Sequence, residues 1–191
     1  MWKSIMVDLE TLGKGYRPPI LQIAACLFDV ETGEILGTFD HTADIRSLKN
    51  IEGDTLSWWL ETNKELLASL VARGHSVADG GLPEKELMEI FVNWVKGQAN
   101  GWPIYFWGNG ILFDNRIIKE KCEQYNLQYP IPYNCDVDMR TIIELAARKT
   151  GFESQKDYRN QFLRSGPEHD AMSDVLHQVK CVCQAYQDLM Q

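Results

Sequence analysis

The chain has 191 residues, of which 45% are hydrophobic and 24% are charged, and its formal net charge is −8. That length predicts one domain over 1–191 with a substantial core, and the composition excludes a disordered or fibrous chain. No apolar run approaches the roughly 20 residues of a bilayer span, and the acidic balance argues against a protein that holds nucleic acid chiefly by releasing counterions, though not against an enzyme that meets phosphates through bound cations.

The N-terminus MWKSIMVDLE has one lysine followed soon by acids, which does not fit a leader peptide and predicts a cytoplasmic location. Residues 3–8 (KSIMVD) read as a short buried strand, and 20–30 (ILQIAACLFDV) as a second. The turn ETG at 31–33 returns the chain as a third strand over 34–40, a hairpin. Asp54 is placed as the N-cap of an amphipathic helix carrying Leu56, Trp59, Leu60, Leu66, Leu67 and Leu70, broken near Asn63. Residues 74–82 read as a loop. Pro83 opens the next helix, whose apolar face is Leu87, Ile90, Phe91, Trp94 and Val95. GWPIYFWGNG (101–110) holds an aromatic strand, 111–125 a helix containing Asp114, and 133–139 a fifth strand. Asp138 caps a helix to about Lys149, 155–164 form a short helix, and the last helix runs from about Asp170 to Leu189. This order predicts an α/β fold: a mixed sheet of about five strands, the first three antiparallel, with helices on both faces. The five cysteines fit no zinc spacing and read as reduced thiols.

The stretch VDLET at 7–11 sets two acids one residue apart directly after an apolar run. Side chains alternate along a strand, so Asp8 and Glu10 share one side. They are either a strand end meeting water or half of a metal site, because buried carboxylates are costly without a partner. Asp114 lies at the start of a helix that follows a strand. Asp174 sits beside Ala171 and Val175 at the edge of a buried helical stripe. Sites in α/β sheets form where strand ends and helix starts converge. Four carboxylates gathered there would repel one another unless cations hold them, and oxygen ligands favour Mg²⁺ or Mn²⁺ over zinc. His169, on the loop before the last helix, adds a base able to work near neutral pH. Taken singly, each of these is more often a cap, a dipole partner or an exposed residue.

Together, D-x-E-T at 8–11, N-x-x-x-F-D at 109–114 and H-x-x-x-x-D at 169–174 resemble the three exonuclease motifs of the DEDD superfamily, histidine subclass. The resemblance is strongest to small stand-alone phage and bacterial exonucleases that begin D-x-E-T-x-G and carry a Trp-Trp pair, here DLETLG and Trp58-Trp59. It implies a ribonuclease H-like fold and a metal-dependent 3′–5′ exonuclease acting on single-stranded nucleic acid, with a slight lean to DNA over RNA. It further implies two divalent cations, Mg²⁺ or Mn²⁺, held by Asp8, Glu10, Asp114 and Asp174, with His169 as general base. Many relatives are dimers, so the resemblance also admits a homodimer.

Outside those residues, Thr11, Leu12, Trp58 and Asn109 are candidate contacts to the terminal nucleotide. Leu12 either wedges against a base or packs locally. One of Trp58 and Trp59 enters the core and the other is free to stack on a base, since neighbours on a helix point about 100° apart. Phe113 and Trp107 read as core, and Asp138 as a cap. Arg148, Lys149, Lys156, Arg159 and Arg164 are either a guide for a phosphate backbone or a solvated face. His41, His75 and His177 have no partner pattern. Two rival functions stay open: a catalytically silent binding module on the same fold, and another two-metal phosphoesterase.

Overall fold

A computed structural model describes residues 3–76, 78, 81–99 and 103–191. Part of the 74–82 loop and the start of the 101–110 stretch lie outside the described residues. Strands β1 (Lys3–Thr11), β2 (Ile20–Asp29) and β3 (Ile35–Ala43) form an antiparallel meander. The β2–β3 turn passes through Gly33 at φ 74°, a conformation that glycine adopts without steric cost. Helices α1 (Gly53–Thr62) and α2 (Lys64–Gly74) follow, divided at Asn63 as expected. Then come β4 (Gly81–Leu82), α3 (Glu84–Ala99), β5 (Tyr105–Gly108), α4 (Asp114–Gln124) and β6 (Asp136–Asp138). Helices α5 (Met139–Thr150), α6 (Gln155–Asn160) and α7 (Ala171–Met190) complete the chain.

The sheet has six strands in the order β4-β3-β2-β1-β5-β6, one more than the sequence pattern indicates. The extra strand is β4, which runs parallel to β3 over two residues, Gly81 and Leu82. Two residues are too few for alternation to show. Strand β5 runs parallel to β1, and β6 parallel to β5.

Every residue of β2 is buried, which fits a central strand covered on both faces. Ile5, Val7 and Leu9 of β1 face one layer, packed with Leu87, Phe91 and Ile117. Met6 faces the other, with Phe28, Ile143, Val175 and Val182. Burying each of these side chains contributes about 1.5–3 kcal/mol. A one-residue slip of β1 would turn its whole apolar set over and drive Asp8 and Glu10 into the layer of Leu87 and Phe91. The packing therefore fixes the side on which the acids emerge.

Two expected caps behave differently. Asp138 caps α5, accepting from the backbone N–H groups of Arg140 and Thr141. Asp54 lies inside the first turn of α1, and the residue before the helix is Glu52. The Glu52 carboxylate makes no cap. It accepts from the N–H groups of Lys14 and Gly15, both at 3.0 Å, and ties down the loop after β1. On the opposite flank, Lys121 and Glu84 form an ion pair of 2.7 Å with both side chains almost fully buried. Ile20 N–H and the Tyr125 hydroxyl also donate to Glu84, so one carboxylate fastens β2, α3 and α4. All five cysteines are buried and unpaired. No helix among the described residues is long and apolar enough to cross a membrane.

Candidate active site

β1 does not end at Asp8 but continues to Thr11, with a register shift between Glu10 and Thr11. Asp8 and Glu10 stand on the α7 side of the sheet. Asp8 accepts a hydrogen bond of 2.7 Å from Gln178 Nε2 of α7. Burial pushes the Asp8 carboxyl well above the ordinary carboxylate range, and the charges of Asp114 and Asp174 push the same way. The Gln178 bond and Arg164 offset part of this. Glu10 is also raised, again by burial first and then by Asp8 and Asp174.

Asp114 arrives from the other layer. It is the first residue of α4 and lies beyond the end of β5, parallel to β1. Its Oδ1 accepts from Leu9 N–H at 3.2 Å. The approach of α4 to β5 depends on Gly108, where a Cβ would lie 2.3 Å from Asn115 Oδ1. Asp114 is 3% exposed, and burial lifts its carboxyl to about 7 despite the Leu9 hydrogen bond and the positive charge of Arg140.

The third element is the start of α7. Asp170 caps that helix through Ser173 N–H, and Ala171 N–H donates to Gln22 Oε1 of β2, which seats the helix on the sheet. Asp174 then points at the end of β1. His169 sits ahead of the cap at φ 66°, a left-handed conformation in which histidine is enriched among non-glycine residues. Its ring packs edge-on against Trp58 and Trp59, with centroids 5.0 and 6.4 Å away. One ligand atom each of Glu10, His169 and Asp174 lies within 4.8 Å of the others. Arg164 donates a hydrogen bond to Asp174 and lies 3.6 Å from Glu168.

Asp8, Glu10, Asp114, His169 and Asp174 line one cavity of about 360 Å³ together with Thr11, Trp58 and Asn109. The tryptophans divide as expected. Trp59 is buried and donates from Nε1 to Thr11 O at 3.1 Å, whereas Trp58 is 37% exposed at the cavity wall. Trp107 is core, and Phe113 is only partly buried and reaches the cavity.

Leu12 is a correction. It is fully buried in the cluster of Ile20, Trp59 and Leu87 and does not line the cavity. Its N–H donates to Pro19 O and its carbonyl accepts from Glu52 N–H, so the loop folds inward at that point. Lys14, Thr55 and Arg140 also line the cavity and were not singled out from the sequence. Gln178 was also missed, though it lies one helical turn after Asp174 and that spacing would have found it. Nothing in the local sequence marks Arg140.

The residues fit a hard divalent cation. The donor set is four carboxylates and an imidazole, and three of the carboxyls are raised by burial, a cost that bound positive charge relieves. Asn109 Oδ1 and Gln178 Oε1 are buried beside them without a protein partner.

Residues 3–186 match the family model described as the 3′–5′ exoribonuclease Rv2179c-like domain. No curated protein matches the chain. Among solved structures, the nuclease domain of 3′hExo, a DEDDh family member bound to rAMP, superposes with a TM-score of 0.63 at 14% identity, over 97% of this chain and 92% of that one. The cell-death related nuclease CRN-4 gives 0.71 at 14% identity, over 97% of this chain and 64% of that one. A zinc-bound complex of E. coli ExoI with single-stranded DNA gives 0.67 at 16% identity, over 94% and 39%. The chain thus spans about two thirds of CRN-4 and two fifths of ExoI. These likenesses establish the ribonuclease H-like fold of the DEDDh exonucleases. Because the family model runs through nearly all of the sequence on that same fold, the chain belongs to the Rv2179c-like family of 3′–5′ exoribonuclease domains.

Proposed function

We propose that this protein removes nucleotides from the 3′ end of single-stranded RNA, using two divalent cations, Mg²⁺ or Mn²⁺, and His169 as general base. The observation that carries the reading is the meeting of Asp8, Glu10, Asp114, Asp174 and His169 in one cavity. The family description favours RNA and reverses the slight lean to DNA drawn from the motifs. The DNA complex of ExoI shares only the fold, at 16% identity.

Asp8, Glu10 and Asp174 would hold one ion, and Asp8 and Asp114 the second. When bound, the ions would lower the pKa of a water so that it can be deprotonated for attack, and would supply charge to balance the leaving 3′ oxygen. His169 would act as the base for the attacking water, its ring held in T-shaped contact with the two tryptophans. Gln178 holds Asp8 in position from behind. Trp58 offers a partly exposed ring for the terminal base, a contact worth about 1–3 kcal/mol. Thr11, whose hydroxyl donates to Gly13 O at 2.7 Å, and Asn109 complete the pocket. The buried reduced cysteines suit a cytoplasmic enzyme.

The test is a gel time course on 5′-labelled RNA and DNA of one sequence, with Mg²⁺ or Mn²⁺, beside Asp174→Ala. A ladder shrinking from the 3′ end, faster on RNA and absent in the variant, is the expected result. Cleavage of a circular RNA would establish an endonuclease instead. Binding without any cleavage would establish a silent module.

A further inference from the structure

A second cavity, of about 700 Å³, opens beside the carboxylate site. Arg140, Lys156, Arg159, Arg164 and Glu168 line it, with His177 among its walls. Two side chains join the cavities. Arg140 lines both, and Arg164 reaches from the second to bond Asp174 in the first.

The basic stretch noted in the sequence divides here. Arg148 pairs with Glu144, and Lys149 donates to Leu189 O, so neither contributes. Lys156, Arg159 and Arg164 turn into the cavity and are met by Arg140 from the start of α5. Arg164 has carboxylate partners in Asp174 and Glu168. Arg140, Lys156 and Arg159 form no ion pair with any described residue. Arg159 is also half-buried, and its charge, with that of Arg164, helps hold the His177 imidazole below its ordinary range, after burial itself. Arg140 also acts on the Asp114 carboxyl, so in a chain of net charge −8 Lys156 and Arg159 are the cations of this concavity without a carboxylate partner among the described residues, and together with the shared Arg140 they form a site for an anion.

We propose that this cavity holds backbone phosphates upstream of the scissile bond, on the strand whose 3′ end lies among the carboxylates. This rests on the exonuclease reading above. Arg140 lines both cavities, and Arg164 of the second bonds Asp174 of the first, so a strand whose 3′ end lies among the carboxylates can continue past Arg140 into the second cavity. Lys156 and Arg159 then meet the phosphates beyond it. The contact is to charge and carries no sequence information.

The experiment compares wild type with Lys156→Ala/Arg159→Ala, both kept away from the carboxylate site. In EDTA, fluorescence anisotropy follows binding of an oligoadenylate of about eight nucleotides. With Mn²⁺, KM and kcat are measured on that oligomer and on a diribonucleotide, which has no upstream phosphate. The double variant is expected to raise Kd and KM for the oligomer about tenfold and to lower the salt slope of log K by about 1.4, the value for two phosphates of a single strand. Its dinucleotide kinetics should be unchanged, and Lys156→Arg/Arg159→Lys should restore oligomer binding. Oligomers with a 5′-hydroxyl and a 5′-phosphate should bind alike. An unchanged Kd and salt slope would overturn the proposal. So would an equal loss on the dinucleotide, or binding that requires the 5′-phosphate. Loss of oligomer binding in a wild-type background that cleaves nothing would instead sink the exonuclease reading and leave the phosphate site standing.

Discussion

Replacing Asp114 by asparagine should make the metal-free protein more stable while removing its activity. The carboxyl is 3% exposed, and burial raises it from 3.8 to about 7. A carboxyl raised by folding acts against folding at high pH. Below about 4, both folded and unfolded chains hold the proton and nothing is lost. Between about 4 and 7, the unfolded chain ionises first and stability declines. Above 7, the full penalty applies. A displacement of about three units corresponds to at most about 4 kcal/mol. The neighbouring carboxyls share protons with Asp114, so about half of that, on the order of 2 kcal/mol, is the reasonable expectation. Asparagine keeps an oxygen for Leu9 N–H and carries no charge to bury.

For a chain of this size, the gain amounts to roughly 4–8 °C in Tm. Thermal melts followed by circular dichroism in EDTA should show Asp114→Asn above wild type at pH 8, with the two converging near pH 4. Saturating Mn²⁺ should raise wild type by mass action and leave the variant nearly unmoved, which reverses the order. A variant that melts below wild type in EDTA at pH 8 would refute the reasoning. It would mean that favourable contacts of the ionised group, and not the need for a cation, keep the acid in place.

Other perturbations separate chemistry from folding. Asp8→Ala should abolish turnover with the far-ultraviolet spectrum intact, and substantial residual cleavage would argue against an ion held at that position. His169→Ala should lower the maximal rate by about 10²–10⁴, and an unchanged rate would remove it as the base. EDTA should stop cleavage and Mn²⁺ restore it, so chelator-resistant hydrolysis would defeat the metal reading. Lys121→Met strands the buried Glu84 carboxylate and should cost about 3–5 kcal/mol in denaturant unfolding. A loss below about 1 kcal/mol would show that Ile20 N–H and Tyr125 suffice to hold Glu84.

The parts of the fold that were legible in the sequence are those with enough residues for a period to show. The meander appears as two long apolar runs around ETG, and the break at Asn63 appears as a lapse in the helical stripe. Strand β4 has two residues and no period, so it reads as loop. Asp54 is an acceptable cap by residue type, but α1 starts one residue earlier, after Glu52, whose carboxylate is committed to Lys14 and Gly15. That commitment is tertiary and leaves no local mark.

The same distinction runs through the site. Asp8, Glu10, Asp114 and Asp174 are each ambiguous alone, and it is their order and spacing together, set against the cost of burying a carboxylate, that singles them out in the sequence. Leu12 and Trp58 carry no such signal, since a leucine or a tryptophan is at home both in a core and against a base. Tertiary packing separates them: Leu12 turns inward into the core, and Trp58 of α1 stays partly exposed at the cavity wall. The basic stretch is ambiguous for a related reason. A lysine or arginine on a surface is unremarkable until its partners are counted. Counting them takes Arg148 and Lys149 out and brings in Arg140, which is distant from the others in sequence and adjacent only in the fold. Residues that would hold ions are thus readable from the order and spacing of acids that are costly to bury, whereas residues that would meet substrate become readable only once the walls of the cavities are known.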